Sequence, residues 1–118
     1  MVNDLRSALE QYDKAGEILR IKKSVDPRTE LAALGWQAEN KLQKATLFEK
    51  LKGYEGWQAV SYLCGSRKRL AIALETTKEN FIPEISKRLA KGPTKCQLVS
   101  DGPVKELKMI SNVDLAKI

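Results

Sequence analysis

Residues 47–74, LFEKLKGYEGWQAVSYLCGSRKRLAIAL, restrict this chain to a narrow set of folds. Ala45 to Leu51 reads as a strand through Leu47 and Phe48, and Ala59 to Cys64 reads as its partner through Val60, Tyr62 and Leu63. Gly53-Tyr54-Glu55-Gly56 supplies the turn between them. Ser66 then caps a helix whose Leu70, Ala73 and Leu74 face inward. Two strands feeding a capped helix specify an ordered scaffold, and little chemistry accompanies it. The chain has no histidine, so it lacks the commonest metal ligand and general acid/base.

The flanking sequence extends the same architecture. Leu5, Ala8, Leu9, Tyr12 and Ala15 recur at helical spacing after a possible cap at Asn3, and Gly16 ends that helix. The period then changes to two. Leu19, Ile21 and Val25 share one face of a strand over residues 17–25, and Arg20, Lys22 and Ser24 share the other. Asp26-Pro27 supplies an N-cap and a first-turn proline for a second helix running to Asn40 or Leu42, with the stripe Leu31, Leu34, Ala38 and Leu42. Trp36 projects roughly 140° from Leu31 at about 100° per residue. It is either an aromatic left partly exposed on a small surface or a contact with something absent from this chain.

Thr77 or Asn80 opens a fourth helix with Phe81, Ile85 and Leu89 inward, Pro83 tolerated in its first turns, and Gly92-Pro93 as its stop. Val104 to Ile110 alternates weakly and reads as a final strand or an extended arm. The fold class is therefore α/β, a small mixed sheet of three to four strands with four helices in the order α-β-α-β-β-α-α-(β). One domain covers residues 1–103, and an extended segment covers 104–118.

Composition narrows the function classes. At 118 residues, 42% hydrophobic and 31% charged, the chain has ordinary globular composition. No run approaches the ~18 apolar residues of a membrane span, and the charged N-terminus does not resemble a signal peptide, so the expected location is the cytoplasm. Cys64 in a strand and Cys96 in a loop lack zinc or redox spacing, and both are read as reduced. Neither has a histidine partner for nucleophilic catalysis. The net charge of +6 comes from 21 Lys and Arg against 15 Asp and Glu. These are spread over every element, as on a solvated basic surface rather than a nucleic-acid face.

Two local features invite a chemical reading. Gly65-Ser66-Arg67-Lys68-Arg69 is similar to a phosphate-binding strand-to-helix turn but lacks a P-loop's second glycine and GK[ST], so a structural helix cap is the plainer reading. Basic residues there oppose the helix dipole, which favours an acidic group facing them. Tyr54 and Trp57 could stack on bases, although two aromatics around a turn more often pack. No pair of carboxylates emerges from spacing as a general acid/base pair. No catalytic, cofactor-binding or metal-binding residue is assigned to any position.

Taken in order, the motifs resemble one family. LRSALEQYDKAGEILRIKKSVDPRTELAAL is similar to the opening of UbiD-type decarboxylases, with a short helix, a Gly-Glu-Leu strand, Val-Asp-Pro and a Glu-Leu-Ala helix. Residues 47–74 resemble that family's next block, an aromatic-acidic strand, Lys-Gly, then Gly-Ser-Arg-x-Arg. GPVKELKMISNVDLAKI looks like its Gly-Pro-Val-Lys-Glu and Val-Asp-Leu stretch. Trp57 to Cys64 replaces a strand that usually ends in Asn-Leu-Phe, which leaves the substrate subgroup open.

The resemblance covers only the N-terminal domain of such enzymes. It implies a reversible decarboxylase of aromatic or α,β-unsaturated acids using prenylated flavin mononucleotide, manganese and potassium. Their ligands and the Glu-Arg-Glu catalytic group would lie beyond Ile118, in a cofactor domain reached through residues 104–118. The chain itself would bind no cofactor, would be inactive alone, and would pack against that domain in a homo-oligomer. A free-standing basic adaptor or nucleic-acid-binding module is the alternative.

Overall fold

The computed structural model describes residues 4–106, 108, 110, 111, 113 and 114. The first helix, α1, spans Leu5–Lys14 and is capped by Asp4, whose carboxylate accepts from the Ser7 amide at 2.8 Å while Ser7 Oγ accepts from the Asp4 amide at 3.1 Å. The proposed Asn3 cap lies outside the described residues. Gly16, at φ 69°, closes α1 with the Gly16 amide on the Asp13 carbonyl and the Glu17 amide on the Tyr12 carbonyl. That left-handed turn delivers Glu17 to the interior at the head of the first strand.

Strand β1 (Ile18–Val25) pairs in parallel with β2 (Ala45–Leu51), which pairs antiparallel with β3 (Ala59–Ser61), giving the order β1-β2-β3. Helix α2 (Leu31–Leu42) makes the crossover that a parallel pair requires. Helices α3 (Arg67–Ala73) and α4 (Phe81–Ala90) follow, then a single 3-10 turn at Pro103–Lys105. The element order is the one expected. The 3-10 turn covers the start of the segment read as a final strand or an extended arm, and Leu107 and Met109, the alternation proposed for it, lie outside the described residues.

Period-two alternation divides the sheet between two layers. Ile18, Ala45 and Leu47 turn toward α1 and α3, forming a core with Tyr12 against which Leu9, Val60, Leu63, Ile72 and Ala73 pack. The opposite face meets α2, where Leu19 and Ile21 lie along Leu34 and Ala38. Gly35 allows the backbones to close, since a Cβ there would collide with the Ser61 side chain. Phe48 and Thr46 are sealed within this layer.

Four sequence expectations are corrected. Strand β3 stops at Ser61 rather than Cys64 because Tyr62 takes φ 57°, which breaks the extended run and leaves Cys64 exposed in a turn. Helix α2 starts at Leu31, not beside Pro27. A turn over residues 27–30 precedes it, with the Asp26 carboxylate accepting from the Arg28 amide and the Glu30 carboxylate accepting from the Asp26 amide, both at 2.9 Å. Leu42 is exposed at the end of α2, beyond the sheet's cover. Leu89 is 74% exposed, because α4 buries only its first residue, Phe81, against the body.

Candidate functional site

The Gly-Ser-Arg turn proves to be a closed electrostatic site. Ser66 is the N-cap of α3, its hydroxyl accepting from the Arg69 amide at 3.1 Å. One turn into the helix, Arg69 is 0% exposed, unlike the dispersed basic surface expected from composition. Its Nη2 donates to Glu39 Oε2 at 2.5 Å, and its Nη1 donates to the Gln43 carbonyl at 2.6 Å and stands 3.7 Å from Glu17 Oε2. Lys68 Nζ approaches the other Glu17 oxygen at 2.5 Å.

Each partner reaches this point for a local reason. Glu39 comes from the flank of α2, and Gln43 closes that helix at φ 53°, a left-handed conformation that leaves its carbonyl for the guanidinium. Glu17 follows the glycine that ends α1. Gly65 has no room for a side chain, since a Cβ would run into the Glu39 carboxylate and the Arg69 guanidinium. A guanidinium suits the position because its planar fork serves a carboxylate and a carbonyl at once, which a single ammonium cannot.

Lys68 and Arg69 face the chain's own Glu17 and Glu39, acidic groups of the kind expected there, and Ser66 caps α3. The convergence leaves no mark in the sequence, because Glu39 and Glu17 lie 30 and 52 positions upstream of Arg69 with nothing local to distinguish either. The rigid glycine before a capped Ser-Arg-x-Arg was the available clue.

The aromatic residues are arranged differently from the packed turn expected. Trp57 is 66% and Tyr54 46% exposed, and with Pro27, Arg28, Leu51 and Ala59 they line an open cleft of about 380 Å³. Trp36 is 56% exposed on α2. A second cleft, of about 300 Å³, is edged by Lys44, Arg67, Lys68 and Lys78 beside Glu17. Among the described residues, no three His, Cys, Asp or Glu side chains converge to hold a metal. The described residues do not fit a manganese centre, and at the Gly65-Ser66 turn Glu17 and Glu39 already pair with the Lys68 and Arg69 side chains that a flavin phosphate would need.

Fold and buried network together define a small α/β scaffold domain built on a βαβ unit with a third, antiparallel strand. The family model for the 3-octaprenyl-4-hydroxybenzoate carboxy-lyase N-terminal domain matches residues 9–89, and the chain belongs to this family, the N-terminal domain of UbiD-type enzymes. A phenolic acid decarboxylase from Sedimentibacter hydroxybenzoicus is 34% identical over 98% of this chain and 25% of its own length. The closed form of the vanillic acid decarboxylase of that organism superposes with a TM-score of 0.77 at 32% identity, covering 98% of this chain and 26% of that one. The UbiD-class enzyme HmfF from Pelotomaculum thermopropionicum, in complex with FMN, gives 0.73 at 35% identity, covering 97% and 25%. The chain thus spans about a quarter of the length of the relatives it matches.

Proposed function

We propose that this chain serves as the N-terminal domain of a longer UbiD-class enzyme, a reversible decarboxylase acting on aromatic or α,β-unsaturated carboxylic acids. The observation that carries the reading is the match over nearly the whole of this chain to about a quarter of the length of two decarboxylases and a UbiD-class enzyme, at 32–35% identity with a shared fold. In this reading prenylated flavin mononucleotide, manganese and potassium are held by the rest of the enzyme, and the flavin supplies the electron sink for loss of carbon dioxide. Residues 1–103 form the packing domain, 104–118 lead toward the cofactor domain, and the enzyme is a cytoplasmic homo-oligomer. Among the described residues no helix is long and apolar enough to cross a membrane.

The role of this chain's own residues is to hold shape. Arg69 locks α2, α3 and the entry to β1 into one body, so that the aromatic cleft and the exposed face of α2 are presented rigidly. The experiment is to express the full-length polypeptide carrying this domain with a prenylated-flavin supply and assay a panel of aromatic and unsaturated acids for carbon dioxide release. Release from at least one acid, dependent on the prenylated flavin, is the expected result. A polypeptide that binds flavin but exchanges no carbon dioxide with any of them overturns the reading.

A further inference from the structure

We infer that the cleft between Tyr54, Trp57 and Arg28 is the surface on which the cofactor-binding part of the same enzyme docks. The inference rests on the function proposed above. Three observations lead to it. First, Trp57 is two-thirds and Tyr54 nearly half exposed, and exposed Trp and Tyr around a concavity mark interaction surfaces. Second, the lining contains Pro27, Leu51, Gln58 and Ala59 with Arg28 as its single charge and no lysine, in a chain whose commonest charged residue is lysine. Enrichment in aromatics and Arg with depletion of Lys is the compositional mark of an interface centre.

Third, the position is suited to an interdomain contact. The cleft opens at the carboxyl ends of β1 and β2, the end of α/β units on which functional loops gather. It also adjoins β3, an edge strand of only three residues whose outer side has no partner strand among the described residues. The occupant is argued from length. The relatives carry about three quarters of their chain beyond the part matched here, and one of them holds FMN in a structure of which this domain is the smaller part. An apolar projection from that larger part, bearing a carboxylate for Arg28, has the complementary chemistry.

Hydrogen exchange on the full-length polypeptide tests this. Within the turn 53–58, the amides of Glu55, Gly56 and Gln58 have no backbone hydrogen bond of their own, unlike those of Tyr54 and Trp57, so docking is expected to slow their exchange to at least tenfold below that of the exposed stretch 94–98. Trp57→Asp should erase that protection and lower kcat/KM for decarboxylation, whereas Trp57→Phe retains both. Tyr54→Ser, at the other rim, should give the same loss, which guards against a local effect of the charge. Free exchange at 53–58 in an enzyme that still decarboxylates overturns the docking surface while leaving the decarboxylase reading intact. Protection of 53–58 in a polypeptide that never decarboxylates supports the surface and removes that reading. If Trp57→Asp halves the assembly's mass while each subunit keeps its flavin and activity, the occupant is a second copy and the proposal fails.

Discussion

Arg69 concentrates more consequence than any other side chain in this domain. Removing one member of a buried ion pair leaves the other charge without compensation, at a typical cost of about 3–5 kcal/mol. Arg69→Met strands Glu39 and frees the carbonyl of Gln43, while Glu17 keeps Lys68. Because the Glu39 side chain retains 17% exposure, a loss near the lower end, about 3 kcal/mol, is expected in denaturant unfolding at unchanged m-value. The double variant Arg69→Met with Glu39→Gln should recover part of it, since the stranded charge is gone. A loss below about 0.5 kcal/mol in the single variant, the size of an ordinary surface change, would show that the network is ornamental. Gly65 belongs to the same unit, and a methyl there would have to displace the carboxylate that Arg69 holds.

At the scale of elements, α1 is tied to the sheet by Arg20 of β1. Its guanidinium donates to Asp13 of α1 at 2.7 and 3.2 Å and to Glu49 of β2 at 3.1 Å. Hydrogen bonding from Arg20 holds the Asp13 carboxyl below its ordinary value of 3.8. A depressed folded-state pKa means that this stabilisation is present above 3.8 and is lost as pH falls through the lower folded value. Arg20→Gln should therefore return the Asp13 midpoint to about 3.8 in a carboxyl NMR titration and flatten the acid limb of the stability curve. An unmoved midpoint would show that the ion pair does not form in solution.

The change from a 3.6 to a 2.0 period marked α1 and β1, and the glycines at 53 and 56, at φ 82° and 79°, marked the turn before β3. The end of β3 was hidden because the left-handed backbone of Tyr62 has no side-chain signature. Leu42 and Leu89 misled because a helical stripe predicts burial only where a partner covers the whole length of the helix. Arg69 lay among basic neighbours that do face solvent, and only its tertiary partners set it apart. For the candidate site, the cap at Ser66 was legible and the exposure of Tyr54 and Trp57 was not, since a turn's aromatics look the same whether they pack inward or wait for a second surface.

For the whole molecule, the division of labour is the decisive question. A cofactor that binds through its phosphate and a metal needs clustered carboxylates, imidazoles or backbone amides around an open anion site. This chain has no histidine, no three Cys, Asp or Glu side chains converge among the described residues, and beside the Ser66 turn Glu17 and Glu39 are paired to an Arg69 that has no exposure. Cofactor capture and turnover should therefore separate on deletion. Removing residues 1–103 from the full-length polypeptide is expected to leave flavin retention within about twofold, read from absorbance after gel filtration. The same deletion should lower kcat/KM at least tenfold, because rigid positioning of remote surfaces is worth factors of that size in the transition state. Loss of the flavin together with this domain would place cofactor binding partly on the N-terminal chain. Full activity without it would reduce the domain to a passenger, and the buried arginine network would then serve folding alone.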